Sequence, residues 1–108
     1  MVISMGEFAN VLYEKAFKIW GADAQIQMAV EEAGELIVSL AKLQRASNGA
    51  TVDDVLDELV DNEIMNEQMR LIFDYTVNGQ SQFVKRKAEK LNRLAARLDS
   101  FRDKEEKK

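Results

Sequence analysis

Across 108 residues the chain has no proline and only five glycines. Proline removes a backbone donor and interrupts helices, while glycine and proline supply the turns that sheet proteins depend on. A chain so poor in both is free to run in long helices, and apolar spacing predicts four. Ser4-Met5-Gly6-Glu7 has the spacing of a capping box. Phe8, Val11, Leu12, Tyr13, Ala16, Ile19 and Trp20 follow at helical intervals until Gly21 ends the first helix. Asp23 is the predicted N-cap of a second, covering about residues 24–45, with Ile26, Ala29, Val30, Ala33, Leu36, Ile37, Leu40 and Leu43 as its apolar stripe. After a turn at Ala46-Ser47-Asn48-Gly49-Ala50, Thr51 and Asp54 cap a third helix that reaches roughly to Tyr75. Val77-Asn78-Gly79-Gln80-Ser81 is the next break, and a last helix runs from about Gln82 past Phe101 into a solvated, fraying end at 103–108. The expected fold class is all-α, in one domain covering residues 1–108.

The third helix is unusual. Val52, Val55, Leu56 and Leu59 define a stripe that runs on into Glu63, Asn66 and Glu67, while Ile64, Met65, Met69, Leu71 and Ile72 fall elsewhere around the barrel. A helix apolar on nearly every side is buried on nearly every side. A few short helices cannot arrange that alone, so the expectation is a helical bundle completed by oligomerisation.

Composition narrows the chemistry. Without cysteine there is no thiolate metal site or Cys nucleophile, and without histidine there is no imidazole base or ligand. Catalysis has to use carboxylates, Lys, Arg, hydroxyls or a metal held by oxygen. Residues 1–84 carry 5 Lys and Arg against 14 Asp and Glu, and residues 85–108 carry 10 against 5. An acidic body with a basic end is unlike a nucleic-acid-binding domain, whose positive footprint dominates. No apolar run approaches the roughly 18 residues of a membrane span. The start of the chain also lacks the basic-then-apolar pattern of a signal peptide, so a soluble, cytoplasmic protein is expected.

Two acidic strings stand out: Glu31-Glu32-Ala33-Gly34-Glu35 and Asp57-Glu58-Leu59-Val60-Asp61. In each, acids three apart share a helical face, Glu32 with Glu35 and Glu58 with Asp61. Like charges at that spacing repel, and a cation between two neighbouring helices reverses the sign of the effect. An all-oxygen, anionic set selects a hard ion, Mg²⁺ or Mn²⁺. Glu32 borders the apolar stripe, whereas Glu31 points largely away from it. The opposing explanation is that both strings are solvated helix faces, since Glu is a good helix former.

On these residues the chain resembles the MazG-like all-α nucleoside triphosphate pyrophosphatases, whose signature is EExxE on one helix and ExxD on the next. Ala24-Gln25-Ile26-Gln27-Met28-Ala29-Val30 leads into the acids as the family's helix does. The run from Glu58 to Gln68 looks like its E-x-x-D-x-E-I-M-x-E-Q, and Lys87-Ala88-Glu89-Lys90-Leu91-Asn92-Arg93-Leu94 looks like the K-x-x-K-L-x-R-L that closes small, phage-type members. The likeness covers most of residues 20–98. Asn62 departs from it, because members commonly carry an apolar residue there.

The resemblance implies a Mg²⁺-dependent hydrolase that splits a (d)NTP between its α and β phosphates, giving a monophosphate and pyrophosphate, in a homodimer or tetramer. It implies that Glu32, Glu35, Glu58 and Asp61 ligate magnesium. Glu31, as a further ligand or by orienting water, and Glu35 take part in catalysis. Lys87, Lys90 and Arg93, at three-residue spacing on the last helix, are candidates for the β and γ phosphates, against an ordinary solvated basic face. Trp20 and Gln27 are candidates for the base, against a core role for Trp20 and simple exposure for Gln27. Glu63 is expected to make a buried polar contact, with Arg70 or across a subunit interface, and Tyr13, Phe17, Phe73 and Tyr75 to pack. Two other readings compete: a phosphoribosyl-ATP pyrophosphohydrolase, and a non-enzymatic oligomerisation module whose acids are surface charge.

Overall fold

The computed structural model describes residues 2–45 and 51–106. The predicted turn at 46–50 and the last two residues of the expected frayed end lie outside them. The chain forms two compact units, Met1–Ile72 and Phe73–Lys108. It is helical almost throughout, as expected, and no helix of the described residues is long and apolar enough to cross a membrane.

Helix α1 (Met5–Gln44) opens at Ser4, whose hydroxyl accepts a bond from the Glu7 amide at 3.1 Å. Its one non-helical residue is Gly21, at φ 83° and ψ 167°, a conformation that a side chain strongly disfavours. Helical geometry resumes directly, so Asp23 stands in the first turn of the second arm instead of at its cap. A carboxylate there still meets the positive end of the helix dipole.

The break at Gly21 reverses the chain. Tyr13 on the first arm hydrogen-bonds Glu67 of helix α2 (Val52–Phe73), while Gln25 on the second arm shares a cavity lining with Gln68. In a straight helix Tyr13 and Gln25 would be about 18 Å apart; here they meet neighbouring residues of α2. Further along, Asn62 of α2 bonds the Glu32 carbonyl, so the second arm runs antiparallel to α2.

Thr51 and Asp54 exchange reciprocal bonds of 3.1 Å at the start of α2, completing the predicted capping box. Along the second arm Gln25 is buried, and the half-buried positions include Ala29, Glu32, Leu36 and Ser39. Their alternating spacing of four and three marks the side turned to α2, and it includes an acid. The buried apolar residues are Tyr13, Val55 and Met65. Val30 and Ile37, assigned to the same stripe from sequence, are 61% and 66% exposed, and Leu56, Val60 and Leu71 of α2 are more than half exposed. The apolar surroundings foreseen for the third helix are absent within the described chain.

In the second unit the predicted break is a small hairpin. Strands β1 (Thr76–Val77) and β2 (Gln80–Ser81) pair antiparallel around Asn78 and Gly79. Both turn residues have positive φ, 51° and 77°, as the tight Asn-Gly hairpin requires. Helix α3 (Gln82–Glu106) follows at once. Ser81 caps it by accepting from the Val84 amide at 3.2 Å, and Asp74 accepts from the Phe83 amide at 2.9 Å and the Ser81 hydroxyl at 2.6 Å. Asp74 leaves α2 to make those bonds, which is why that helix stops at Phe73, two residues short of the expected Tyr75. The backbone of α3 stays helical through Glu106, past the point where fraying is expected at 103.

Candidate metal centre

Side chains seven or eight residues apart on a helix return to nearly the same face, so the α2-facing side of the second arm, which carries Gln25, also presents Glu32. Glu58 and Asp61, one turn apart on α2, come to meet it. Glu32, Glu58 and Asp61 each offer a carboxylate oxygen, and these oxygens lie within 4.8 Å of one another. Oxygens on opposite sides of one magnesium stand about 4.2 Å apart, and around calcium about 5 Å. The acids are gathered to within the reach of a single ion.

Asn62 holds the two helices together at this point. Its amide nitrogen donates to the backbone carbonyl of Glu32 at 2.8 Å and to that of Glu58 at 2.9 Å. One side chain thereby fixes the backbone that carries two of the three acids. The departure from the family pattern thus has a structural use, and sequence reasoning missed it.

The electrostatics are those of a site short of positive charge. Glu32 Oε2 and Glu58 Oε2 are buried and have no hydrogen-bond partner. The Glu32 carboxyl is pushed above its ordinary pKa by burial first, then by the charges of Glu35, Asp61 and Glu58. Glu58 is raised in the same way, by burial, then Glu35, Asp61 and Asp57. Glu35 itself is exposed, yet close enough that its carboxyl raises both neighbours. Buried carboxylates either protonate or acquire a partner. The donor set fits a hard divalent cation: all oxygen, anionic, with two oxygens unclaimed by the protein.

The other sequence candidates fall outside the cluster. Glu31 is exposed, accepts a 3.4 Å bond from Gln27 and is not among the gathered acids Glu32, Glu58 and Asp61. Trp20 is 58% exposed, neither core nor part of the cavity beside Tyr13. Lys87, Lys90 and Arg93 are exposed on α3 of the second unit, where Lys87 and Lys90 flank a shallow apolar groove with Phe83, Leu91 and Leu94. Glu63 is exposed within this chain instead of buried, and its charge acts on Tyr13. Of the four aromatic residues expected to pack, Tyr13 is buried, whereas Phe17, Phe73 and Tyr75 are about half exposed or more. Comparison with protein-family models, curated proteins and solved structures found no match to this chain.

Proposed function

We propose that this protein is a Mg²⁺-dependent nucleoside triphosphate pyrophosphohydrolase of the MazG-like kind, turning a (d)NTP and water into a (d)NMP and pyrophosphate. The observation that carries the reading is that Glu32, Glu58 and Asp61 each bring a carboxylate oxygen within 4.8 Å of the others, while Glu32 and Glu58 each bury an oxygen that has no partner. Surface charge has no reason to be gathered, buried and clipped in place by Asn62.

Glu32, Glu58 and Asp61 would hold the cation, with exposed Glu35 close to Glu32 and Glu58. Magnesium bound there supplies positive charge that neutralises phosphate oxygens and makes nearby water more acidic. Glu35 accepts the proton of the attacking water at its carboxylate. The water oxygen bonds to the α-phosphorus as the bridging oxygen departs with its electron pair on pyrophosphate. Positioning and charge carry such a transfer, without a covalent nucleophile. Glu31, hydrogen-bonded to Gln27 and exposed, is left out of the proton path.

The half-exposed Val30, Ile37, Leu56, Val60 and Leu71 support a second copy packed against α1 and α2, as a homodimer or tetramer would provide. The test is to incubate the protein with a panel of NTPs and dNTPs, with Mg²⁺ or with EDTA, and identify the products. Monophosphate and pyrophosphate formed only with the metal are expected. Diphosphate and phosphate, or no turnover across the panel, overturn the proposal.

A further inference from the structure

The most buried polar side chain of the described residues is not among the acids. Gln25 is 1% exposed, and neither its amide nitrogen nor its amide oxygen has a hydrogen-bond partner. Burying an amide without partners is costly, and native structures rarely leave both ends of one unsatisfied. Gln25 lines a cavity of about 390 Å³ together with Tyr13, Phe17, Gln68, Leu71 and Ile72. That volume lies within the roughly 300–1,000 Å³ of small-molecule sites, which combine apolar walls with a few placed polar groups.

The wall residues narrow the ligand. A Gln amide offers a donor beside an acceptor, the pattern that pairs with a nucleobase edge. Tyr13 and Phe17 supply aromatic surface of the kind on which bases stack. The Tyr13 ring is anchored by its hydroxyl, which donates to Glu67 at 2.5 Å. Gln68, also buried, spends its amide nitrogen on the weak acceptor Met65 Sδ at 3.4 Å, leaving a contact that a ligand can replace at small cost.

Position ties the cavity to the acids. Gln25 precedes Glu32 by seven residues and Gln68 follows Asp61 by seven, so cavity and acids share one seam about 10 Å apart along each helix. A nucleotide spans such a gap between its base and its phosphates. We infer that the cavity at Gln25 is the base-recognition site, its amide reading the donor–acceptor edge of a nucleobase; this rests on the hydrolase reading and assigns it a specificity residue. The role passes from Gln27 and Trp20 to Gln25.

Nucleosides, which lack phosphate, test the cavity without the metal centre. In isotope-labelled protein at neutral pH without divalent cation, at least one of the common nucleosides is expected to shift the side-chain amide signals of Gln25. Gln25→Leu removes an unsatisfied amide at similar volume, so its melting temperature is expected to rise while nucleoside binding is lost. Its discrimination among NTPs, by kcat/KM, should fall at least about tenfold. A residue with a merely structural role would not separate stability from selectivity in this way. If no nucleoside moves the Gln25 signals, or Gln25→Leu binds and discriminates as the parent does, the inference is overturned. Gln25 shifts without hydrolysis of any NTP would sink the hydrolase reading and keep the cavity; hydrolysis without Gln25 shifts would do the reverse.

Discussion

Helix α2 carries two pairs of acids that look alike in sequence and are treated in opposite ways by the fold. Glu63 and Glu67 stand one turn apart, and Glu67 receives the Tyr13 hydroxyl. Glu58 and Asp61 also stand one turn apart, but face further carboxylates, Glu32 and Glu35, and Glu32 and Glu58 each bury one oxygen without a partner. The first pair is answered by a donor from the chain itself. The second concentrates negative charge, and among the described residues two of its carboxylate oxygens are buried with no donor, the condition that the proposed cation would relieve. Helical spacing of acids is therefore a poor guide to a metal site; what lies opposite them decides.

The largest expected effect tests that difference directly. Asp61→Asn and Glu35→Gln keep shape and remove one charge, and each should lower kcat/KM for the preferred NTP by at least about 10²-fold while the circular dichroism spectrum stays helical. Near-normal turnover in either variant would break the distinction between the pairs. Glu67→Gln belongs to the other class: it weakens a charge-assisted bond and should cost stability by about 1 kcal/mol, measured by denaturant unfolding.

A smaller effect separates the pairs by pH and metal. Glu32 and Glu58 have raised pKa values in the ion-free fold. A carboxyl raised on folding contributes stability that is fully present below its unfolded pKa and is lost as pH climbs through the raised value. The ion-free protein should therefore become more stable as pH falls from 7 towards the ordinary carboxylate range. Saturating Mg²⁺ reverses the slope, because protons then compete with the ion. At neutral pH, Mg²⁺ at about 100 times its Kd should stabilise the fold by about 2.7 kcal/mol. Glu32→Gln should be more stable than the parent without metal and lose most of the Mg²⁺ effect. Parallel melting curves with and without the ion in both proteins would remove the centre.

Much of this was legible in the sequence, for reasons that differ by residue. Ser4 and Thr51 cap helices where the capping-box spacing places them, because a cap is a local bond between a side chain and amides three residues away. Gly21 and Asn78-Gly79 interrupt the helices because positive φ is a property of single residues. Glu32, Glu58 and Asp61 converge because two antiparallel helices close together in sequence bring equivalent turns together. Gln25, Asn62 and Glu67 were not legible. Each acts through a contact about 30 to 54 residues away, or through a cavity, and a polar residue in a helix carries no local mark of being buried. Glu31 and Gln27 stand apart from the gathered acids although they are near them in sequence, because one step along a helix turns a side chain by about 100°.

The smallest effect sharpens the comparison from the side of the answered pair. The Tyr13 phenol is pushed up to about 12 from an ordinary 10.0, by burial first, then by its bond to Glu67 and the charges of Glu67 and Glu63. A raised phenol contributes stability present below pH 10 and lost as pH climbs towards 12, because the unfolded chain ionises first. In a Tyr75→Phe background only Tyr13 reports, and phenolate absorbance against pH should give a midpoint well above that of a free tyrosine. Glu67→Gln removes a charge and weakens the bond but leaves the burial, so the midpoint should fall only part of the way. A fall to the ordinary value would make Glu67 the whole cause. No change would mean that the acid does not engage the hydroxyl, and the contrast between the two pairs on α2 would lose its answered member.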